Sequence, residues 1–311
     1  MYMNNEVSFL HTLNKELCHK DNVHEVFLTD CLYNDQENLY SLGAVKPQNH
    51  SYYGEENHDE LFLLECCRQS MLCVSHQFFD IPFEHKFILS NLELSSLTHN
   101  IVNLKNIFLK VFTSQQEYEK SGVLVAQNFL VIVSDGNQDI FHSKMFVKYI
   151  KETTYNKIRK SNVSYDDYGL PKLQQSDRFF LNTLGIVNDK NILISDFEET
   201  KGGIKTRLNV NLSNTSILEH RHDHFSAVVL IDAVIQSSIF YLSKHFHGSR
   251  WRLKSLKSKY NRFVEIVGFT TIDISKYRGV NFSDEIRIEA KIIQFGEVSS
   301  DFSVIFKSDN Y

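Results

Sequence analysis

Two stretches 167 positions apart constrain this chain more than anything else in it. LLECCRQS (63–70) and LIDAVIQS (230–237) superpose without a gap, placing Glu65 on Asp232, Gln69 on Gln236 and Ser70 on Ser237. Each lies in a longer run, residues 58–79 and 225–245, that is apolar almost all round, as expected of a helix enclosed by its own domain. A repeat of this length spans a whole domain rather than one unit of a solenoid, and 311 residues suffice for two domains. One stripe breaks the apolar surface of the first helix. At about 100° per residue, Glu65, Arg68, Gln69 and His76 fall within about 100° of one another. Ionised groups are costly to bury unless they are paired or used, so the stripe marks a candidate site.

The flanking sequence predicts the same order of elements twice. In the first half, residues 25–29 and 39–44 read as strands, the helix follows, and further strands fall at 86–94, 101–112, 123–133 and 139–150. SDGN (134–137) is a hairpin turn. In the second half, strands are expected at 191–195 and 204–212. The histidine-rich loop EHRHDH (219–224) leads into the second helix, and strands follow at 262–273, 285–295 and 302–306. Residues 151–180, polar and mixed with Gly169 and Pro171, read as the linker. The expected organisation is therefore an N-terminal domain at 1–150, a linker at 151–180 and a C-terminal domain at 181–311. The fold class is α+β: two antiparallel sheets, each packed on a long central helix. This is a tandem double hotdog, in which the two domains form a pseudo-dimer whose sheets can pair and hide their edges.

Composition excludes several function classes. Hydrophobic residues make up 42% and charged residues 23%, as in a globular protein. A net charge of −5 gives no support to nucleic-acid binding. The five cysteines, Cys18, Cys31, Cys66, Cys67 and Cys73, are odd in number and lack metal spacing, which fits reduced thiols and a cytoplasmic location. The N-terminus lacks the basic start and apolar core of a signal peptide. Residues 225–242 are apolar enough to suggest a membrane span, but Asp232 at their centre would cost about 2.5–3.5 kcal/mol there, so no membrane is expected. His220, His222, Asp223 and His224 lack the fixed helical spacing of a zinc motif, and no metal is expected.

HKDNVHEVFLTD (19–30), KPQNHSYYG (46–54), the LLECCRQS helix, VNDKNILIS (187–195) and HRHDHFSAVVLIDAVIQ (220–236) occur in that order. Together they resemble the A-factor biosynthesis (AfsA) family of double-hotdog proteins over roughly residues 18–250. The resemblance implies an acyltransferase. It would move a β-ketoacyl group from an acyl carrier protein thioester to the hydroxyl of dihydroxyacetone phosphate, on the way to a γ-butyrolactone-type signalling molecule. No cofactor is implied beyond the 4'-phosphopantetheine arm that the carrier brings, and the chain would act as a monomeric pseudo-dimer or a homodimer. Two other readings stand beside it: another acyl-thioester hotdog enzyme, either a thioesterase or a β-hydroxyacyl dehydratase, or a non-catalytic hotdog binding protein. The second helix departs from the family pattern. It carries Asp232 and Ile235 where Glu and Arg are usual, and Ser226 and Ala227 where Pro-Gly is usual.

Acyl transfer needs a base for the attacking hydroxyl, a stabilised oxyanion and alignment of both reactants. Burial raises a carboxylate pKa, which predicts Glu65 as general base, oriented by Arg68 or with Arg68 on the acceptor phosphate. The resemblance pairs Glu65 with His220 or His224 of the second loop, and Asp232, with Gln236, with His50 in a secondary site. Gln69 and His76 are candidate substrate-binding residues. SRWRLKSLKSKY (249–260) is basic, and Arg250, Arg252 and Lys254 are candidates for docking an acidic carrier; a solvated basic face is the competing reading. Cys66 and Cys67 beside Glu65 are either nucleophiles or small core thiols.

Overall fold

The computed structural model describes residues 7–54, 58–98, 104–160, 182–218, 223–247, 249–275, 277–279 and 284–309. The chain divides into two units. Unit 1 comprises Met1–Gly54 and Asp59–Val163, and unit 2 comprises Glu55–His58 and Ser164–Tyr311.

Unit 1 runs β1 (Leu28–Asn34), β2 (Leu39–Val45), α1 (Asp59–Phe78), β3 (Lys86–Ser96), β4 (Asn106–Tyr118), β5 (Leu124–Ser134), β6 (Asp139–Ile150) and α2 (Glu152–Lys160). Its strands are antiparallel in the order β1-β2-β4-β5-β6-β3. α1 contains no Gly or Pro and a single β-branched residue, Val74, and Asp59 and Glu60 in its first turn complement the helix dipole. Pro82 soon after its end cannot continue a helix. Most of α1 is buried, Leu61–Cys67 and Gln69–His76 included. β5 alternates, turning Ala126, Phe129, Val131 and Val133 into the core. Truncating one of the fully enclosed leucines, for example Leu63→Ala, removes about 2–5 kcal/mol.

Unit 2 runs β7 (Ile194–Thr200), β8 (Gly203–Leu208), α3 (Ala227–His245), β9 (Arg250–Tyr260), β10 (Thr270–Ser275), β11 (Arg278–Gly279), β12 (Glu285–Gln294) and β13 (Glu297–Asp309). Its order is β9-β13-β12-β10-β8-β7, with β11 paired to β12 off this path. Set against unit 1, each strand takes the place of its counterpart in the chain, so the two units share one topology. α3 is rich in Val and Ile, which are weak helix formers. It holds through burial and a cap: the Ser226 hydroxyl accepts from the Val229 N–H at 3.4 Å. α3 is long and apolar enough to cross a membrane by length and composition, and it lies mostly buried in its unit.

Several boundaries differ from the sequence reading. The first strand starts at Leu28, not residue 25, because Asn22 caps a 3-10 turn over Val23–Glu25. The same device recurs in unit 2, where Asn188 caps Asp189–Asn191 ahead of β7. The basic stretch at 249–260 is largely the strand β9, with Trp251, Leu253 and Leu256 turned inward. The strand expected from residue 262 begins at Thr270 instead. Before it, Gln294 ties down a loop by accepting from the Glu265 N–H and donating to the Glu265 and Val267 carbonyls. Part of the expected linker, residues 152–160, is the helix α2.

Candidate active sites on the two central helices

In unit 1, Glu65 has a side chain only 3% exposed, yet it is fully engaged. Arg68, one helical turn on, donates from Nε to Oε2 at 2.8 Å and from Nη2 to Oε1 at 2.9 Å, a bidentate clamp. Gln69 donates to Oε1 at 2.9 Å, and Lys20 Nζ lies 3.2 Å from the same oxygen. Burial pushes the Glu65 pKa up. The Arg68 and Lys20 cations and the hydrogen bonds from Arg68 and Gln69 outweigh it and hold the carboxyl well below the ordinary range. The expectation of a base with a raised pKa is therefore corrected: Glu65 is a tightly bound carboxylate that holds cations. Arg68 is 30% exposed and is the outward end of the cluster. Among the described residues its Nη1 has no acceptor.

Gln69 is a staple rather than a substrate contact, which corrects the sequence reading. Its Oε1 accepts from the Phe27 N–H at 3.0 Å, and its Nε2 donates to the Glu25 carbonyl at 2.8 Å as well as to Glu65. His76 shares the azimuth of Glu65 but lies 11 residues, about 16 Å, further along the axis. It contacts the Ile81 carbonyl at 2.6 Å and His19 at 2.7 Å, and it is not part of the Glu65 cluster. Burial pushes the Cys66 and Cys67 thiols up, which makes them core groups rather than nucleophiles.

In unit 2 the staple is repeated. Gln236 Oε1 accepts from the Leu193 N–H at 2.9 Å, and Nε2 donates to the Asn191 carbonyl at 2.9 Å and to Asp232 Oδ2 at 3.0 Å. The histidine facing Asp232 is His58, its Nε2 4.0 Å from Oδ2, with both side chains almost wholly buried. The expected Asp232–His50 pairing is thereby corrected. His50 belongs to a turn of unit 1: its Nδ1 accepts from the N–H groups of Tyr52 and Tyr53 at 3.1 and 3.0 Å. This leaves Nε2–H to donate to Glu25 at 3.2 Å. In unit 2 the matching positions carry an uncharged pair, Asn214 donating to Asn191 at 3.0 Å.

His224 sits 2.6 Å from Asp223 and against Phe263. His220 lies outside the described residues. Arg250, Arg252 and Lys254 are on β9, and Lys254 is ion-paired with Glu285. Among the described residues no group of three or more His, Cys, Asp or Glu side chains is placed to hold a metal ion. Sequence reasoning missed Lys20 and His58. Lys20 lies in the HKDN motif and His58 directly precedes α1, but nothing in their spacing ties either to an acid.

The chemistry divides accordingly. Unit 1 offers a fixed, permanently charged guanidinium suited to an anion. Unit 2 offers a carboxylate and an imidazole within reach of each other, the elements of acid–base work.

Residues 3–138 match the family model of the A-factor biosynthesis hotdog domain, AfsA. No curated protein matches in sequence. Among solved structures, the dehydratase domain from the CurJ module of curacin polyketide synthase has 12% identity and a TM-score of 0.52, covering 91% of this chain and 97% of its own. The dehydratase domain of the CurK module has 9% identity and a TM-score of 0.51, with coverages of 91% and 98%. An acyl-ACP thioesterase from Bacteroides thetaiotaomicron VPI-5482 has 14% identity and a TM-score of 0.49, with coverages of 88% and 100%. The two dehydratase likenesses show the fold, which is the hotdog α+β fold. Residues 3–138 are thus similar to the A-factor biosynthesis hotdog domain, and the chain has the hotdog α+β fold.

Proposed function

We propose that the chain is a biosynthetic enzyme acting on acyl thioesters. It transfers a β-ketoacyl group from an acyl carrier protein to the hydroxyl of dihydroxyacetone phosphate, towards a γ-butyrolactone-type signal, in the cytoplasm. The observation that carries this reading is the Arg68 clamp. Arg68, clamped by Glu65 and 30% exposed, with Lys20 on the same carboxylate, turns a fixed guanidinium outward, and such a group suits a phosphorylated acceptor. The hydroxyl oxygen bonds to the thioester carbon, the carbon–sulfur bond breaks, and the hydroxyl proton ends on the pantetheine sulfur. The net reaction consumes no proton, so positioning and charge complementarity are the chain's contribution, and no cofactor beyond the pantetheine arm is required. The test is mass spectrometry of β-ketoacyl-carrier thioester incubated with and without the phosphotriose. The ester should form only with acceptor, and Arg68→Met should raise the acceptor KM. Thioester loss that ignores the acceptor overturns the proposal.

A second reading, dehydration or hydrolysis of an acyl thioester, is favoured by the buried His58–Asp232 contact. Supplying a β-hydroxyacyl thioester tests it. Loss of water in the wild type that disappears in both His58→Gln and Asp232→Asn supports that reading, and an inert thioester removes it.

A further inference from the structure

The leading arm grips α1 with two consecutive residues. His19, in the left-handed region at φ 51 behind the 3-10 turn Lys15–Cys18, reaches His76. Lys20 reaches Glu65. The two helix positions are about 16 Å apart along the axis, so the neighbouring side chains extend in opposite directions from the arm.

The His19–His76 contact holds a limited number of protons. His76 Nδ1 lies 2.6 Å from the Ile81 carbonyl, which only accepts, so Nδ1 carries the hydrogen. In the neutral ring Nε2 is then an acceptor, and His19 Nε2, 2.7 Å away, donates to it. One extra proton can be shared along this line. With a second, each ring becomes a cation and presents N–H to N–H at 2.7 Å, which no hydrogen bond can accommodate. β3 turns Phe87 towards both rings, the turn after α1 supplies Phe83, stacked at 4.6 Å on His76, and His85 faces His76 from the same turn. Burial, and secondarily the His85 charge, hold the His76 pKa below the ordinary imidazole range against the pull of the Ile81 carbonyl. A depressed histidine contributes stability that is present above about pH 6.5 and fades as pH falls through the folded-state value.

We propose that the His19–His76 contact is a proton-operated clip: when both rings are charged, the arm leaves α1 and takes Lys20 off Glu65. Glu65 stays ionised throughout this range, so the cluster comes apart without titration of the acid at its centre.

Hydrogen exchange of the full-length protein, corrected for the intrinsic pH dependence, tests this between about pH 5 and 8. In the wild type, amides of the arm at 15–21 should lose about tenfold or more of their protection below about pH 6. In His19→Gln they should keep it, because the amide still donates to His76 and never becomes charged. Protection that is flat with pH in the wild type, or lost equally in His19→Gln, overturns the proposal. Should His19→Gln not fold, His76→Gln, able to donate to Ile81 and accept from His19, serves the same comparison. The readout needs no substrate, so it stands or falls apart from the proposed function.

Discussion

Replacing Gln69 with methionine keeps the length of the side chain and removes both of its polar ends. Three groups lose a partner. The Phe27 N–H and the Glu25 carbonyl sit in the buried lead-in to β1, and Glu65 Oε1 keeps Arg68 and Lys20. A buried backbone group left without a partner costs about 1–3 kcal/mol, and a lost donor on a charged acceptor about 1 kcal/mol more. Together these give about 3–7 kcal/mol, a large fraction of the roughly 5–15 kcal/mol that holds a typical domain folded. The second unit supplies an internal control, since Gln236→Met strips the Leu193 N–H, the Asn191 carbonyl and Asp232 Oδ2 in the same way. It should cost the same within about 1 kcal/mol. Urea denaturation measures both. The single tryptophan, Trp251 on β9, reports unit 2, while far-ultraviolet circular dichroism follows both units. Gln236→Met should move the fluorescence transition, and Gln69→Met should act on the part of the dichroism transition that fluorescence does not follow. A cost below about 1 kcal/mol for either variant would refute the stapling argument.

Other outcomes follow from the same contacts. Because the folded-state pKa of Glu65 is depressed, its contribution to stability is complete above about pH 4.3 and disappears as pH falls through the lower folded value; Arg68→Met should flatten this acid limb in pH-dependent denaturation. His50→Leu removes the donor to the buried Glu25 carboxyl and the acceptor of the Tyr52 and Tyr53 N–H groups, and should cost at least about 1–3 kcal/mol by urea denaturation, with any chemistry at Asp232 unaffected. The thiols of Cys18, Cys66 and Cys67, all pushed up by burial, should resist iodoacetamide in the native protein at pH 8 and react on unfolding; rapid native labelling would contradict the core assignment.

The two long helices and their shared glutamine were legible in the sequence because a gapless alignment of apolar residues at helical length leaves little freedom. The partners of the acids were not. Lys20 stands far from Glu65 in the chain and is brought to it by the fold of the arm, so the predicted sign of the Glu65 shift was reversed. His76 shared a face with Glu65 on a helical wheel, which discards height along the axis. His58 read as the first residue of a helix and is instead the neighbour of Asp232. β9 was hidden because its apolar alternation slips at a bulge near Leu253 and Ser255, leaving the basic residues as the visible pattern.

The glutamine on each helix is bonded to the main chain of its own unit, and a main-chain partner is indifferent to which side chains surround it. The acid one turn earlier thus inherits a fixed position whatever company it keeps: cations in one unit, an imidazole in the other. A molecule built this way can change the chemistry at one copy of the position while the mounting of both stays intact, so divergence between its halves need not be read as decay.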